Sequence, residues 1–192
     1  MPVIAAENEI TIRNLLAAFE GESNAFARYI SFAAIADEDK LHGVASLFRA
    51  TGRAEQIHAA NHARIIKQLG GDVRCEIHKV EPGSTLDNLK AALSGEQHEI
   101  GVLYPEFLAE ATLRGNTLAV RTFTGALEAE KTHARLYEQA IALLHRGKLD
   151  SWIGLAREFY VCPVCGHTSE TEEEYEHCPV CKCPWERFEI IR

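Results

Sequence analysis

The feature that most constrains this chain is a pair of Glu-x-x-His motifs 75 positions apart, Glu55-x-x-His58 and Glu130-x-x-His133. On a helix, this spacing stacks the carboxylate and the imidazole one turn apart on the same face. Such a face can bind a first-row divalent metal such as iron or zinc. Glutamate and histidine are also common on solvated helix faces, so the surrounding apolar pattern must decide between the two interpretations.

Four long segments carry the apolar spacing of bundle helices, with apolar residues alternating in steps of three and four. These segments are residues 10–36, residues 41–69, a third segment that begins at Ser84, and residues 116–145. Residues 70–84 carry no helical period, and a connection of this length suits a crossover along a bundle rather than a tight hairpin. The pattern predicts a four-helix bundle with one crossover.

Each of the four apolar seams is interrupted near its middle by side chains that can bind a metal. They are Glu22, Glu55 with His58, Glu96 with Glu99, and Glu130 with His133. Burying these carboxylates without compensation would be costly, and two metal ions would remove that cost. A Glu from each of two helices plus a Glu-x-x-His from each of two others is the ligand set of ferritin-like di-iron carboxylate proteins, and Glu99 adds one more carboxylate. The sequence therefore predicts an all-α ferritin-like bundle around a dinuclear site, and the two-histidine, oxygen-rich ligation favours iron or manganese over zinc.

Three further residues lie close to this polar layer. His62 falls on the seam of the second helix, and we expect a hydrogen-bonded core histidine there rather than a direct ligand. Tyr104 lies one turn beyond Glu99, near enough to hydrogen-bond whatever Glu99 holds. Pro105 falls inside the third helical pattern and is expected to kink that helix or to end its first half.

The C-terminal segment carries two Cys-x-x-Cys motifs separated by twelve residues: Cys162 with Cys165, and Cys178 with Cys181. This arrangement predicts a tetrahedral four-thiolate site, which holds either structural zinc or a single iron for electron transfer. Spacing alone does not choose between the two metals. Cys183 and Cys75 are expected to stay outside the site.

A module of this size needs a small hydrophobic core besides its metal, and aromatic side chains can supply it. We expect Tyr160, Trp185 and Phe188 to form that core. The predicted organisation is a bundle over residues 1–147, a linker over 148–157, and a metal-stapled β/loop module over 158–192.

Composition excludes some partners. A formal net charge of −8 argues against a nucleic-acid partner, which would call for a basic face. No apolar run approaches the roughly 20 residues that span a bilayer, and no N-terminal segment resembles a signal peptide. Four of the six cysteines sit in two tight pairs, which are metal ligands more often than disulfides in a reducing compartment. We therefore expect a cytoplasmic protein without membrane contact.

Taken together, these motifs resemble the rubrerythrin family over essentially the whole chain. The resemblance is carried by Gly21-Glu22-Ser23 followed by Arg28-Tyr29, by Gly95-Glu96-x-x-Glu99 with Tyr104-Pro105, by both Glu-x-x-His motifs, and by the cysteine pairs, which look like a rubredoxin-like domain. The resemblance implies a non-haem diiron peroxidase that reduces hydrogen peroxide to water. It also implies two non-haem irons in the bundle and favours iron over zinc at the four cysteines.

The resemblance further implies individual roles. One iron of the pair shifts between Glu99 in the diferric state and His58 in the diferrous state, whereas Glu130 and His133 stay fixed on the other iron. Tyr29 and Tyr104 match tyrosines next to the ligands. The catalytic residues implied are therefore Glu99, His58, Tyr29 and Tyr104.

The resemblance also implies partners. The electron donor would be a rubredoxin or an NAD(P)H-dependent reductase, and a head-to-tail homodimer would bring the four-cysteine iron near the diiron site of a second protomer. The long 70–84 connection would also permit helix exchange between protomers. Two alternatives stay open: a ferroxidase or oxygen-reducing diiron protein, and an iron-storage or metal-binding protein whose C-terminal module is a zinc ribbon.

Overall fold

The computed structural model of the chain describes residues 8–147, 154–170 and 176–192. Within these ranges the helices are α1 (Glu9–Glu38), α2 (His42–Gln68), α3 (Thr85–His98), α4 (Tyr104–Leu113) and α5 (Thr117–His145), and a π-helical turn over Glu99–Leu103 joins α3 to α4. The strands are β1 (Phe159–Val161), β2 (Thr168–Ser169) and β3 (Glu189–Ile191), with a short 3₁₀ turn over Trp185–Arg187. With α3 and α4 counted as one long helix, the predicted ferritin-like four-helix bundle is confirmed.

Local sequence signals set several helix ends. The Ser84 hydroxyl accepts a hydrogen bond from the Asp87 backbone N–H, which is the predicted cap of α3. The Asn116 side chain caps α5 in the same way, through the Ala119 N–H. Residues 71–84 contain no regular secondary structure, as expected for the crossover. None of the helices in the described ranges is long and apolar enough to cross a membrane.

The apolar core consists of two clusters that lie on either side of the polar layer. One cluster gathers the C-terminal half of α1, the N-terminal half of α2, and part of α3 and α5, with Tyr29, Phe48 and Leu136 among its fully buried members. The other gathers the opposite ends of α1, α2 and α5 together with α4, around Leu15 and Phe123. The ligand-type residues are therefore sandwiched between two dry regions, where bulk water contributes little to their solvation.

The third helix departs from its predicted seam. That seam continued from Glu96 through Glu99 and Leu103, but both of the later residues are only half-buried, and Tyr104 is fully buried instead. The cause is the π-helical turn, in which the Tyr104 backbone N–H donates to the Glu99 carbonyl and the additional residue rotates the rest of the helix. The interruption predicted near Pro105 is present and takes the form of this turn.

The C-terminal module is a three-stranded antiparallel sheet in the order β2-β1-β3, with the cysteine knuckles at one end. The Trp185 ring stacks on Phe188 at a centroid distance of 4.1 Å and lies 5.5 Å from the Tyr160 ring. The predicted aromatic cluster therefore forms, although its three members are half-buried. The fully buried apolar residues of the module are Phe159 and Val161, which face the bundle.

The module packs on α2 and α5 of its own chain. Arg53 on α2 makes a bidentate ion pair with Glu189, at 2.7 and 2.9 Å. The Asn61 amide donates to the Val164 carbonyl at 2.8 Å. This docking brings the first cysteine knuckle directly onto the polar layer of the bundle. Part of the predicted linker, residues 148–153, lies outside the described residues, so the proposed domain boundaries stay predictions.

Candidate dinuclear centre and four-cysteine site

The polar layer gathers six of the predicted ligand residues into two overlapping groups. The first is Glu22, Glu55, His58 and Glu130, and the second is Glu55, Glu96, Glu130 and His133. All six residues are buried, and the candidate ligand atoms within each group lie within 4.8 Å of one another. Glu55 and Glu130 belong to both groups, so each lies where it can bridge two metal ions. This differs from the expectation that Glu130 stays on one iron.

Both histidines turn the same ring nitrogen toward the carboxylates. Nδ1 of His58 lies 3.0 Å from Glu55 Oε2 and 3.0 Å from Glu130 Oε1. Nδ1 of His133 lies 2.8 Å from Glu130 Oε2 and 3.5 Å from Glu55 Oε1. The two Glu-x-x-His motifs are therefore related by an approximate two-fold arrangement around the shared carboxylates.

The other ring nitrogens point away from the carboxylates, toward the C-terminal module. Nε2 of His58 lies 3.0 Å from the backbone carbonyl of Cys165, which can only accept. Nε2 of His133 lies 3.2 Å from Thr168 Oγ1, whose own hydroxyl donates to the Gly166 carbonyl at 3.0 Å. Each Nε2 therefore carries a proton, so Nδ1 is the ring nitrogen that can bind a metal once it is deprotonated.

Each of the two carboxylates that belong to only one group receives a hydrogen bond from a buried tyrosine. The Tyr29 hydroxyl donates to Glu96 Oε1 at 2.5 Å, and the Tyr104 hydroxyl donates to Glu22 Oε1. Burial, followed by the charge of the adjacent glutamate, raises the pKa of both phenols well above the ordinary value. Both tyrosines therefore remain protonated donors. Tyr104 contacts Glu22 rather than a group held by Glu99, because the π-helical turn redirects it.

The unsatisfied polar atoms of the site show that a metal pair fits it. Among the described residues, the buried side-chain atoms without a hydrogen-bond partner include Glu22 Oε2, Glu55 Oε1, Glu96 Oε2, both carboxylate oxygens of Glu130, and His133 Nδ1. Buried polar atoms are rarely left without partners in native proteins. Four carboxylates and two imidazoles whose Nδ1 atoms face them match the donor set of a diiron-carboxylate site.

The metal-free site balances its charge with protons. Burial, together with the charges on Glu130 and Glu22, raises the pKa of Glu55 to about 8. Burial alone would lower the pKa of His58 and of His133, but the surrounding carboxylates outweigh it and raise both values well above the ordinary range. Two metal ions would replace these protons, so metal binding and proton release are coupled.

Glu99, predicted as an additional ligand, belongs to neither group. It is half-buried at the first position of the π-helical turn, and its Oε1 lies 4.0 Å from the place where a Cβ on Gly21 would stand. Burial, followed by the charges of Glu22 and Glu130, raises the pKa of its carboxyl group well above the ordinary value. Glu99 is therefore beside the site without entering it, and His58 is inside.

His62 is a buried, hydrogen-bonded histidine, as predicted from its seam position. Its Nε2 lies 3.3 Å from the Tyr104 hydroxyl and its Nδ1 lies 3.2 Å from Thr122 Oγ1. The distance from Nε2 to Glu22 Oε1 is 3.8 Å, which is too long for a hydrogen bond. His62 thus supports the Tyr104–Glu22 contact from behind.

The four knuckle cysteines converge on one point. Their sulfur atoms all lie within 4.8 Å of one another, with Cys162 Sγ 3.5 Å from Cys181 Sγ and Cys165 Sγ 3.6 Å from Cys178 Sγ. A disulfide requires about 2.05 Å, whereas the edge of a tetrahedron with metal–sulfur bonds near 2.3 Å is about 3.8 Å. The arrangement fits a four-thiolate metal site. Cys183 is buried beside it but belongs to no ligand group among the described residues.

Several contacts at this centre were not predicted from the sequence. Thr168 and the Cys165 carbonyl reach the histidines only because the module docks on the bundle. Gly166 permits that docking, since its φ is +75° and a Cβ there would overlap His58 Nε2. A glycine directly after a Cys-x-x-Cys motif can be seen in the sequence and indicates a position with little space for a side chain. The sequence does not show which surface this glycine approaches.

The fold and both metal sites define a ferritin-like, diiron-carboxylate class of protein with a rubredoxin-like metal site. The family profile described as Rubrerythrin matches residues 13–141. Rubrerythrin-2 of Clostridium acetobutylicum is 37% identical over 190 residues, which cover 98% of this chain and 100% of that protein. Nigerythrin of Nitratidesulfovibrio vulgaris is 34% identical over 179 residues, covering 93% and 85%. A solved structure described as the fully reduced, all-ferrous state of nigerythrin superimposes with a TM-score of 0.83 at 33% identity, covering 94% and 86%. The chain belongs to the rubrerythrin family.

Proposed function

We propose that this protein reduces hydrogen peroxide to water at a diiron site in the bundle, with electrons delivered one at a time through an iron held by the four cysteines. The observation that carries the proposal is the 3.0 Å contact between His58 Nε2 and the Cys165 carbonyl. It connects a ligand of one candidate metal site to a residue of the other. A storage protein has no need of such a connection, whereas a reductase that turns over repeatedly must be resupplied with electrons.

The ligand assignment follows the two groups of the polar layer. Glu22 and His58 would hold one iron, and Glu96 and His133 the other, with Glu55 and Glu130 between them. Iron is favoured because the chemistry of the donor set suits it and because the nigerythrin structure is described as all-ferrous. When iron is bound, a diferrous pair supplies the two electrons that, with two protons, reduce one hydrogen peroxide to two water molecules.

The protein's own residues orient this site and keep it dry. The Tyr29 and Tyr104 hydroxyls each hold one oxygen, of Glu96 and of Glu22 respectively, and the other oxygen of each carboxylate has no hydrogen-bond partner. The apolar clusters above and below exclude bulk water, so the charges of the carboxylates act in a medium of low dielectric constant. We propose that Tyr29 and Tyr104 are catalytic residues next to the metal ligands, as the family resemblance implies.

We also propose that Glu99 and His58 exchange places as the oxidation state changes. The support is positional: His58 occupies the group with Glu22, while Glu99 stands beside that group and outside it. An additional carboxylate would compensate the higher charge of a ferric pair, and a neutral imidazole suits the ferrous pair. The π-helical turn at Glu99 provides backbone that can adjust, as such turns do at functional sites.

The peroxidase proposal is tested by stopped-flow mixing of the fully reduced, iron-loaded protein with hydrogen peroxide and, separately, with oxygen. We expect oxidation of the diiron site within seconds by peroxide and more slowly by oxygen. A site that stays reduced for minutes after peroxide addition contradicts the proposal. Faster oxidation by oxygen would indicate a ferroxidase or an oxygen-reducing protein instead.

Glu99→Ala separates an exchanging ligand from a structural one. We expect the variant to retain both irons of the pair, because Glu99 lies outside the two ligand groups, and to turn over peroxide at least about tenfold more slowly. Elemental analysis and steady-state peroxide reduction measure the two effects. Loss of metal from the variant would mean that Glu99 is a structural ligand and that the exchange does not occur.

The metal at the four cysteines decides whether the relay exists. Metal analysis together with a visible spectrum distinguishes a ferric four-thiolate centre, which is red, from a zinc site, which is colourless. A zinc-only site would leave no relay. The homodimer and the helix exchange between protomers also stay predictions, and light scattering tests the dimer. The electron donor, a rubredoxin or an NAD(P)H-dependent reductase, stays a prediction that anaerobic reduction assays test.

A further inference from the structure

A cleft of about 490 Å³ opens where α2 and α5 of the bundle meet the two cysteine knuckles. Its buried wall includes His58 and Cys165, the two residues whose contact joins the metal sites, and its lining also includes Cys181. Cys181 is the half-buried member of the four cysteines, while the other three are buried. The cleft therefore gives the four-thiolate site its approach from solvent.

Three cations line this cleft: Arg64 on α2, Arg121 on α5, and Lys182 directly after the second knuckle. All three side chains are exposed, and no carboxylate belongs to the lining. Over the described residues, none of the three makes an ion pair, and their one hydrogen bond is from Lys182 to the Pro179 carbonyl at 3.3 Å. Unpaired cations gathered in one cleft create a local positive potential, even on a chain whose formal net charge is −8.

We propose that this cleft is the docking site of an acidic redox protein, which delivers electrons to the four-thiolate site there. The inference rests on the proposed function, since it requires iron at the four cysteines. Charge complementarity is what carries it, because the rest of this chain would repel an acidic partner. Electron-transfer encounters use small interfaces and are steered by charge, so three cations around the exposed edge of a redox centre suffice to guide one.

The test follows reduction of the red four-thiolate centre in the iron-loaded protein, without peroxide, after anaerobic mixing with an acidic, pre-reduced flavodoxin, whose flavin spectrum differs from that of the four-thiolate iron. The variant carries Arg64→Glu and Arg121→Glu. The matched control carries Lys67→Glu, on α2, and Arg146→Glu, directly after the end of α5. It reverses two exposed cations outside the cleft and changes the net charge equally. Dithionite serves as a small anionic reductant in parallel.

At low ionic strength we expect the cleft variant to be reduced by the flavodoxin at least about tenfold more slowly than the control, with the two rates converging at high salt. Equal slowing of variant and control would overturn the proposal, since only net charge would then matter. An equal loss with dithionite would also overturn it, because the cleft would then attract any small anion. If the cleft variant, but not the control, changed its oligomeric state in sedimentation velocity, the cleft would be an interface between copies of this chain. A colourless zinc site would refute both the electron relay and the docking proposal. Failure of peroxide to oxidise the diiron site would refute the peroxidase proposal and leave the docking proposal standing.

Discussion

Replacing Thr168 by valine removes the acceptor that fixes the ring proton of His133 while preserving the shape of the side chain. Thr168 lies on β2, pairs with Val161 of β1, and is buried. Valine suits a strand at least as well as threonine, so the backbone should not change. The substitution removes two hydrogen bonds, from His133 Nε2 to Thr168 Oγ1 at 3.2 Å and from the Thr168 hydroxyl to the Gly166 carbonyl at 3.0 Å. The second is lost whether or not metal is bound, so only the first makes the cost depend on metal.

The cost of this change depends on whether metal is bound. In the metal-free protein, the His133 ring can lose its Nε2 proton and keep the one on Nδ1, which lies 2.8 Å from Glu130 Oε2. With metal on Nδ1, the proton must stay on Nε2, where valine leaves it buried and unpaired at a cost of roughly 1–3 kcal/mol. The penalty thus falls mainly on metal binding, as a decrease in affinity of about 10- to 100-fold at one position of the pair.

The assay is an anaerobic titration of Fe²⁺ against a competing chelator, with the four-cysteine site already filled. Thr168→Ser serves as the matched control, because it retains the hydroxyl and should bind iron nearly as tightly as the parent. A second readout is ¹⁵N NMR of the histidine rings in zinc-loaded, diamagnetic protein, which reports the nitrogen that carries the proton. Thr168→Val with unchanged affinity, or Thr168→Ser with an equal loss, would refute the reasoning.

Three other predictions concern docking and protonation. In chemical denaturation, Gly166→Ala should reduce the free energy of unfolding by more than the control Gly115→Ala. Both glycines have positive φ, but of the two only Gly166 lies where an added methyl group would overlap His58. Equal losses would argue against tight docking of the module on the bundle. Binding of two ferrous ions at pH 6.5 should release at least about three protons, one each from His58, His133 and Glu55, because the pKa of each group is raised. An indicator dye in weak buffer measures the release. Fewer than one proton released per metal ion would contradict the protonation described. The hydrogen bonds from Arg53 lower the pKa of Glu189, so this ion pair stabilises the protein above the ordinary carboxyl pKa and is lost as pH falls through the lowered value. Both side chains are about one-third exposed, so Glu189→Gln should cost roughly 0.2–1 kcal/mol at pH 7 in urea unfolding and nothing in acid; a difference that persists in acid would exclude the ion pair as its cause.

The bundle and six candidate ligand residues could be predicted because helical periodicity is a local property. Each of Glu22, Glu55 and Glu130 interrupts an apolar seam, and a seam position fixes the face of the helix on which a side chain lies. Periodicity does not say how the faces of different helices combine. Only the structure shows that Glu130 belongs to both ligand groups, and its assignment to one iron, which the family resemblance implies, stays a prediction.

Helical periodicity could not predict the π-helical turn. Seam counting assumes 3.6 residues per turn throughout, and a single additional residue shifts every later position. The prediction was therefore correct up to Glu96 and wrong for Leu103, which is half-buried. Pro105 signalled an interruption, but the missing N–H does not specify whether the helix kinks, ends or takes in one more residue.

Contacts between the module and the bundle were the least predictable part, since they join residues far apart in the chain and follow no repeat. His58 and Cys165 are 107 positions apart, and His133 and Thr168 are 35 apart. Both pairs depend on the surface that the module chooses, which is set by Arg53, by the apolar contacts of β1, and by the space at Gly166. Each motif was visible in the sequence, while the contact between them was not.

The docked module is also what breaks the approximate symmetry of the dinuclear site. Within the bundle, each histidine faces the shared carboxylates through Nδ1, and Glu22 and Glu96 each accept a hydrogen bond from one tyrosine. The difference lies behind the rings, where His133 is held by the Thr168 hydroxyl and His58 by the carbonyl of Cys165, a residue of the four-cysteine site. Only the His58 side is therefore coupled directly to the proposed electron source, and Glu99 stands next to that same side. In the proposed exchange His58 is the group that moves, and Cys165 belongs to the site that delivers the electron. Because one hydrogen bond joins these two residues, the exchange at His58 would respond to the arrival of an electron.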